Sequence, residues 1–228
     1  VNEYARLRTL IGSDNTGAAV RGWARDVLAD VVDGDSDLLA VRHPLGFLCF
    51  PVWRGDGLGI CVHVWTDGVR ADPTTSKVHA HSWDLLSTVL YGTVGNEIIE
   101  ILSAPVHPTH RMFEIQSAAD GDLVRATQRL VTYRTRSRED FHTGEVYTLP
   151  HGAFHVSDVR GEAATVVLGE DNLGRPDLSL GTLATTDHWV HRTLCTPSET
   201  RGAAHTVLAH LRDQPLPEQL ENRCERAT

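Results

Sequence analysis

From Leu45 onward the chain is cut into short runs of β-branched and aromatic residues separated by Gly, Pro and Asp, and no other feature narrows the fold as much. The runs at 46–53, 59–67, 85–102, 111–116, 129–136, 145–150 and 164–169 are the strand candidates. Many short strands with turn signals between them predict a mainly β chain folded as a sandwich or barrel. The flanks differ. Tyr4, Leu7, Leu10 and Ile11 recur at helical spacing, and residues 12–15 break the pattern. Val20, Trp23, Ala24, Val27, Leu28, Val31 and Val32 then resume it up to Gly34. From Ser198, Ala203, Val207, Leu208 and Leu211 form a third helical stripe, followed by a tail with Pro215 and Pro217 that reads as loose or partly ordered. The sequence thus divides into a helical segment over 1–40 packed on a β-barrel over 41–197, and a C-terminal helix and tail over 198–228.

At 228 residues the chain is long enough to bury one full core. Its net charge of −9 opposes binding to nucleic acid or to an anionic membrane, both of which call for clustered Lys and Arg. Cys49, Cys61, Cys195 and Cys224 form no CxxC pair, which argues against a disulfide framework or a zinc ribbon and for a reducing, cytoplasmic setting. No apolar run approaches the roughly 18 residues of a membrane span. The N-terminus lacks the charged, apolar and small-residue order of a signal peptide.

Two stretches carry chemistry. In Lys77-Val78-His79-Ala80-His81-Ser82-Trp83-Asp84, residues two apart on a strand share a face, so His79 and His81 would aim both imidazoles at one point inside a barrel. In the stretch from Gly144 to His155, Pro150 and Gly152 predict a tight turn, and His155 heads the strand that follows.

Together these stretches resemble the paired motifs of the cupin superfamily. The first is HxH, a short gap, an optional carboxylate and a later glycine; the second is G-x5-P-x-G-x2-H, which Gly144, Pro150, Gly152 and His155 fill without a gap. The resemblance covers about residues 55–170. It implies a cupin double-stranded β-helix, a jelly-roll barrel with helices at both ends, holding one divalent metal through His79, His81 and His155. Many cupins add a glutamate three or four residues after the second His. Leu85 and Leu86 stand there instead, and Asp84 falls one residue early, facing away from the pair unless a bulge turns it inward. Three neutral imidazoles around an open face suit Fe(II), and Zn, Ni, Cu or Mn are alternatives.

Within the superfamily the wording is most similar to the three-histidine thiol dioxygenases. Thr75 to His81, Ser87 to Gly92, and His155-Val156-Ser157 with Ala164 to Leu168 carry that likeness. It implies non-haem Fe(II) chemistry with dioxygen on a small polar substrate, an amino acid or thiol-like molecule. It also implies an arginine on an earlier strand that holds a substrate carboxylate; Arg54 has about the right position, and its fork suits the task. Residues 103–140 fall outside the likeness and read as an inserted hairpin or loop.

Other candidates follow from position. His63 alternates with apolar neighbours after Cys61 and lines the pocket if Cys61 faces inward; otherwise it lies on the surface. Trp83 reads as core or pocket wall. Tyr147 and Tyr91 could donate hydrogen bonds to bound oxygen, and His151 could orient a ligand or shuttle a proton. Arg111, Arg134, Arg136 and Arg138 read as a solvated face or as a lid over an anionic substrate. A metal-dependent isomerase or lyase remains an alternative, with His151, Tyr147 or Glu145 as base, and so does a non-catalytic ligand-binding cupin. Exposed edge strands leave a homodimer open, unless the N-terminal helices cover an edge.

Overall fold

The computed structural model describes residues 2–69, 76–104, 106–118, 121–172 and 174–213. Thr75, Cys224 and the tail with Pro215 and Pro217 lie outside the described residues. The chain opens with α1 (Glu3–Ile11), where Asn2 Oδ1 accepts a hydrogen bond from Ala5 N at 2.8 Å and caps the first turn. It continues with α2 (Thr16–Asp33), which stops at Gly34 in the left-handed conformation. After the strands, α3 (Pro197–Asp213) closes the described chain.

Two antiparallel sheets lie between the helices. The first runs in the order β14 (Thr193–Leu194), β1 (Val41–His43), β2 (Phe47–Gly55), β3 (Leu58–Trp65), β11 (Ala163–Asp171), β5 (Trp83–Tyr91) and β9 (Val146–Leu149). The second runs β13 (His188–Val190), β8 (Gly121–His142), β6 (Thr93–Ser103), β10 (His155–Val159), β4 (His79–Ala80), β12 (Asp177–Thr182) and β7 (His110–Ala118). This mainly β architecture with helices at both ends agrees with the jelly-roll barrel expected.

Side-chain alternation assigns each strand face its neighbour. On the first sheet, Leu48, Phe50, Ile60, Val62, Val64 and Leu90 point outward and pack against Leu7, Val20, Trp23, Leu28 and Val207 of the three helices. The N-terminal helices therefore cover a face of this sheet and not an edge. The opposite face meets the second sheet: Leu85, Val89, Tyr147 and Val167 from the first pack with Val94, Ile98 and Phe141 from the second.

The segment read as an insert is a hairpin that changes the second sheet. β8 pairs with β7 through its first half and with β6 through its second, and Val131 is opposite both His110 and Ser103. The strands β8, β6, β10, β4, β12 and β7 thus form a closed circuit in which each has a neighbour on both sides, and β13 lies at the margin beside β8. Val78, Ala80, Ile99, Met112, Val131, Phe154 and Leu180 make a separate apolar cluster on the face opposite to His79 and His155.

The apolar run 85–102 is two strands rather than one. Gly92 divides them with φ +78, and a Cβ there would collide with the Glu162 carbonyl oxygen. The arginines of the hairpin do not act together. Arg134 pairs with Glu100, Arg138 with Glu97 and Asp158, and Arg111 sits apart on β7 with a buried Nε. These ion pairs engage Arg134 and Arg138 separately, as the solvated-face reading expects.

Candidate metal centre

His79 and His155 face each other directly across the β4–β10 ladder, so alternation sends both imidazoles toward the first sheet. Their ring centroids are 4.3 Å apart. His81 lies just past the end of β4, and its ring is 4.8 Å from that of His79 and 5.2 Å from that of His155. The three offer nitrogen atoms that all lie within 4.8 Å of one another.

The turn before β10 builds this convergence. Ala153 N donates to Pro150 O at 3.1 Å, closing a four-residue turn whose third position needs positive φ; Gly152 supplies it at +74. Gly152 N then donates to His81 O at 2.8 Å, tying the turn to the first histidine stretch. Ser82 N is held by Asp177 Oδ1 at 2.6 Å. Both ligand-bearing stretches are therefore fixed by backbone contacts as well as by the ladder.

Tautomer and charge are also set. His79 Nδ1 lies 2.9 Å from Lys77 O, and His155 Nδ1 lies 3.1 Å from Ala153 O. Because a carbonyl only accepts, each Nδ1 carries the proton and each Nε2 keeps its lone pair. Burial pushes all three imidazoles below their ordinary pKa, and His155 falls to about 3 with added repulsion from His79. Neutral rings with free lone pairs are what a divalent cation requires.

No carboxylate joins them among the described residues. Asp84 shares the strand face of Leu86 and Leu90, which point outward, and no bulge turns it inward. Its Oδ1 accepts from His151 N at 2.8 Å and lies 2.9 Å from His151 Nδ1, contacts that lower the carboxyl pKa. Leu85 is inward but apolar.

The remaining candidates separate into those the fold brings together and those it does not. Trp83 lies against His81, ring centroids 4.3 Å apart, and Gly169 leaves room for it because a Cβ there would sit 3.1 Å from the indole. His63 and Cys61 both face inward from β3, opposite Thr165 and Val167. Arg54 lies on the same inward side at the exposed end of β2, where its charge acts on Cys61, Cys49 and His43.

Two further candidates have other partners. Tyr147 packs in the apolar part of the interior against Phe141 at 4.8 Å, its hydroxyl facing Ser87, Asn96 and Thr165, and not among the three histidines. His151 is held by Asp84 and Asn172 on the outer side of the turn, which takes its ring away from the centre. Tyr91 packs on the helical side, stacked on His210.

Sequence reasoning missed His43, Cys49 and Asp177. His43 stacks on Phe47 at 4.2 Å, and burial lowers its pKa well below the ordinary value. Only cross-strand register brings His43 and Cys49 near β3, and no local spacing signals it. Asp177 lies within electrostatic reach of His79.

No family model matches the sequence, and no curated protein matches it either. Solved structures do resemble it. A cupin superfamily protein from Desulfitobacterium hafniense is 12% identical, with 55% of this chain and 78% of that chain covered at a TM-score of 0.34. A hydroquinone 1,2-dioxygenase from Sphingomonas sp. TTNP3 is 16% identical, with 54% and 64% covered at 0.33. A polyketide cyclase from Streptomyces resistomycificus is 15% identical, with 66% and 82% covered at 0.36. Likenesses of this depth say nothing of the reaction. Among the described residues, no helix is long and apolar enough to cross a membrane.

Proposed function

We propose that this chain is a non-haem Fe(II)-dependent oxygenase of the cupin type, acting with dioxygen on a small polar substrate such as an amino acid or a thiol-like molecule. The observation that carries this reading is the donor set: three converging imidazoles held neutral by burial, two of them with a fixed tautomer, and no carboxylate beside them among the described residues. His79, His81 and His155 would hold the ion. Bound there, Fe(II) would supply open coordination positions and the electrons that activate dioxygen.

The chain's own residues do the rest. The carbonyls of Lys77 and Ala153 hold the Nδ1 protons of His79 and His155, so both rings present Nε2 without rotating. Trp83 covers one side of His81. The apolar cluster of Leu85, Val89, Ile98 and Val167 closes the interior and gives it a low dielectric. Arg54, at the exposed end of β2, would hold a substrate carboxylate by a bidentate contact, and His63 and Trp83 would line the approach.

The test is oxygen uptake by the Fe(II)-loaded chain on addition of small thiols and amino acids. Substrate-dependent uptake, lost in His79→Ala, supports the oxygenase. Turnover with zinc or nickel and no oxygen uptake would replace it with Lewis-acid isomerase or lyase chemistry.

A further inference from the structure

We propose that Cys49, Cys61 and His63 form a second metal site, distinct in its ligands from the three histidines, that takes a thiophilic divalent cation of the zinc type. His63 is the direct cross-strand neighbour of Cys49, and Cys61 lies two residues before it on the same face of β3. The two sulfurs and one imidazole nitrogen all lie within 4.8 Å of one another. Zinc–ligand bonds of about 2.3 Å to sulfur and about 2.0 Å to nitrogen set tetrahedral ligand atoms roughly 3.5 Å apart, so a small side-chain adjustment closes the site.

Charge favours the same occupant. Two thiolates neutralise a divalent ion, and a neutral complex avoids the cost of burying net charge beside Phe47, whose ring is 4.6 Å from that of His63. Thiolate donors select a softer cation than the three imidazoles do. The thiols respond in opposite senses: the contact with Cys61 and burial raise Cys49, whereas contacts with Cys49 and His63 lower Cys61. One ligand is therefore already inclined to ionise. On binding, the cation displaces one proton from each cysteine to solvent and forms two metal–sulfur bonds and one metal–nitrogen bond, with no change of oxidation state. A tetrahedral ion held by these three ligands would keep a fourth position for water or a small ligand. This site stands whether or not the three histidines hold iron.

The full chain, reduced with a phosphine and stripped of metal, is titrated with Co(II) as the probe. The expected result is thiolate-to-cobalt charge-transfer absorption whose final intensity corresponds to one sulfur-bound ion per chain. It is lost in Cys61→Ser and in Cys49→Ser/Cys61→Ser, and it persists in His79→Ala. Circular dichroism checks folding; if the serine variants unfold, His63→Gln keeps both thiols and is expected to lose saturation at the same cobalt concentration. No charge-transfer band in the reduced wild type, or a band that survives in Cys61→Ser, overturns the site. Air oxidation to a Cys49–Cys61 disulfide with no cobalt uptake by the reduced chain overturns it too. A thiolate band without any binding at His79, His81 and His155 would sink the iron reading and leave this site intact.

Discussion

The same strands of the first sheet carry two different surfaces. On β2 and β3 one alternate set, Leu48, Phe50, Ile60, Val62 and Val64, is wholly apolar and sealed by the helices. The other set, Phe47, Cys49, Cys61 and His63, faces the second sheet and the three histidines. A period of two lets one strand serve as core on one side and as chemistry on the other. If the inner face holds metal as proposed, stability and function are separated by the thickness of a single sheet, and substitutions on the two faces should have separable effects.

The largest expected effect lies on the outer face. Phe50 is fully buried against the helices, and Phe50→Ala should cost about 3–5 kcal/mol in denaturant unfolding. Metal content per folded chain should not change. If Phe50→Ala releases metal while the fold persists, the two faces are coupled and the separation fails.

An intermediate effect comes from pH and belongs to the inner face. His155 has a folded pKa of about 3 against an ordinary 6.5, so the unfolded chain binds more protons between those values. The metal-free protein therefore keeps this contribution above about pH 6.5 and loses it as pH falls toward 3. The loss is about 1 kcal/mol per pH unit for one such group. Chemical unfolding across pH should show a shallower acid slope in His155→Gln. Equal slopes in the two proteins would mean that the imidazole is not buried neutral.

The smallest effect tests the donor set. Asp84 is half exposed and engaged with His151, so Asp84→Asn should change stability by less than about 1 kcal/mol. Its metal content should equal that of the wild type. Loss of metal in Asp84→Asn would place a carboxylate in the centre after all.

How much of this was legible in the sequence depends on how local each feature is. His79, His81, Pro150, Gly152 and His155 are readable because a two-residue alternation and a four-residue turn are local matters. Helices α1 to α3 announce themselves by period and by Gly34 for the same reason. Gly92 was hidden inside an apolar run, since nothing nearby in sequence shows that Glu162 passes beside it. The meeting of Cys49 with Cys61 and His63 needs the β2–β3 register, which an alternating pattern does not specify by itself. The two-residue β4 and β14 and the three-residue β1 and β13 are too short to carry a periodic signal. Tyr147 and His151 were attractive because they sit inside the second motif, but alternation and the turn carry them to an apolar interior and to the outer side.

The most direct test of the account is the iron content of the anaerobically Fe(II)-loaded chain, measured by mass spectrometry beside His79→Ala and His155→Ala. The expected result is one imidazole-bound iron per wild-type chain and its loss in both variants, with circular dichroism unchanged. Full iron retention in either folded variant would contradict the three-histidine centre.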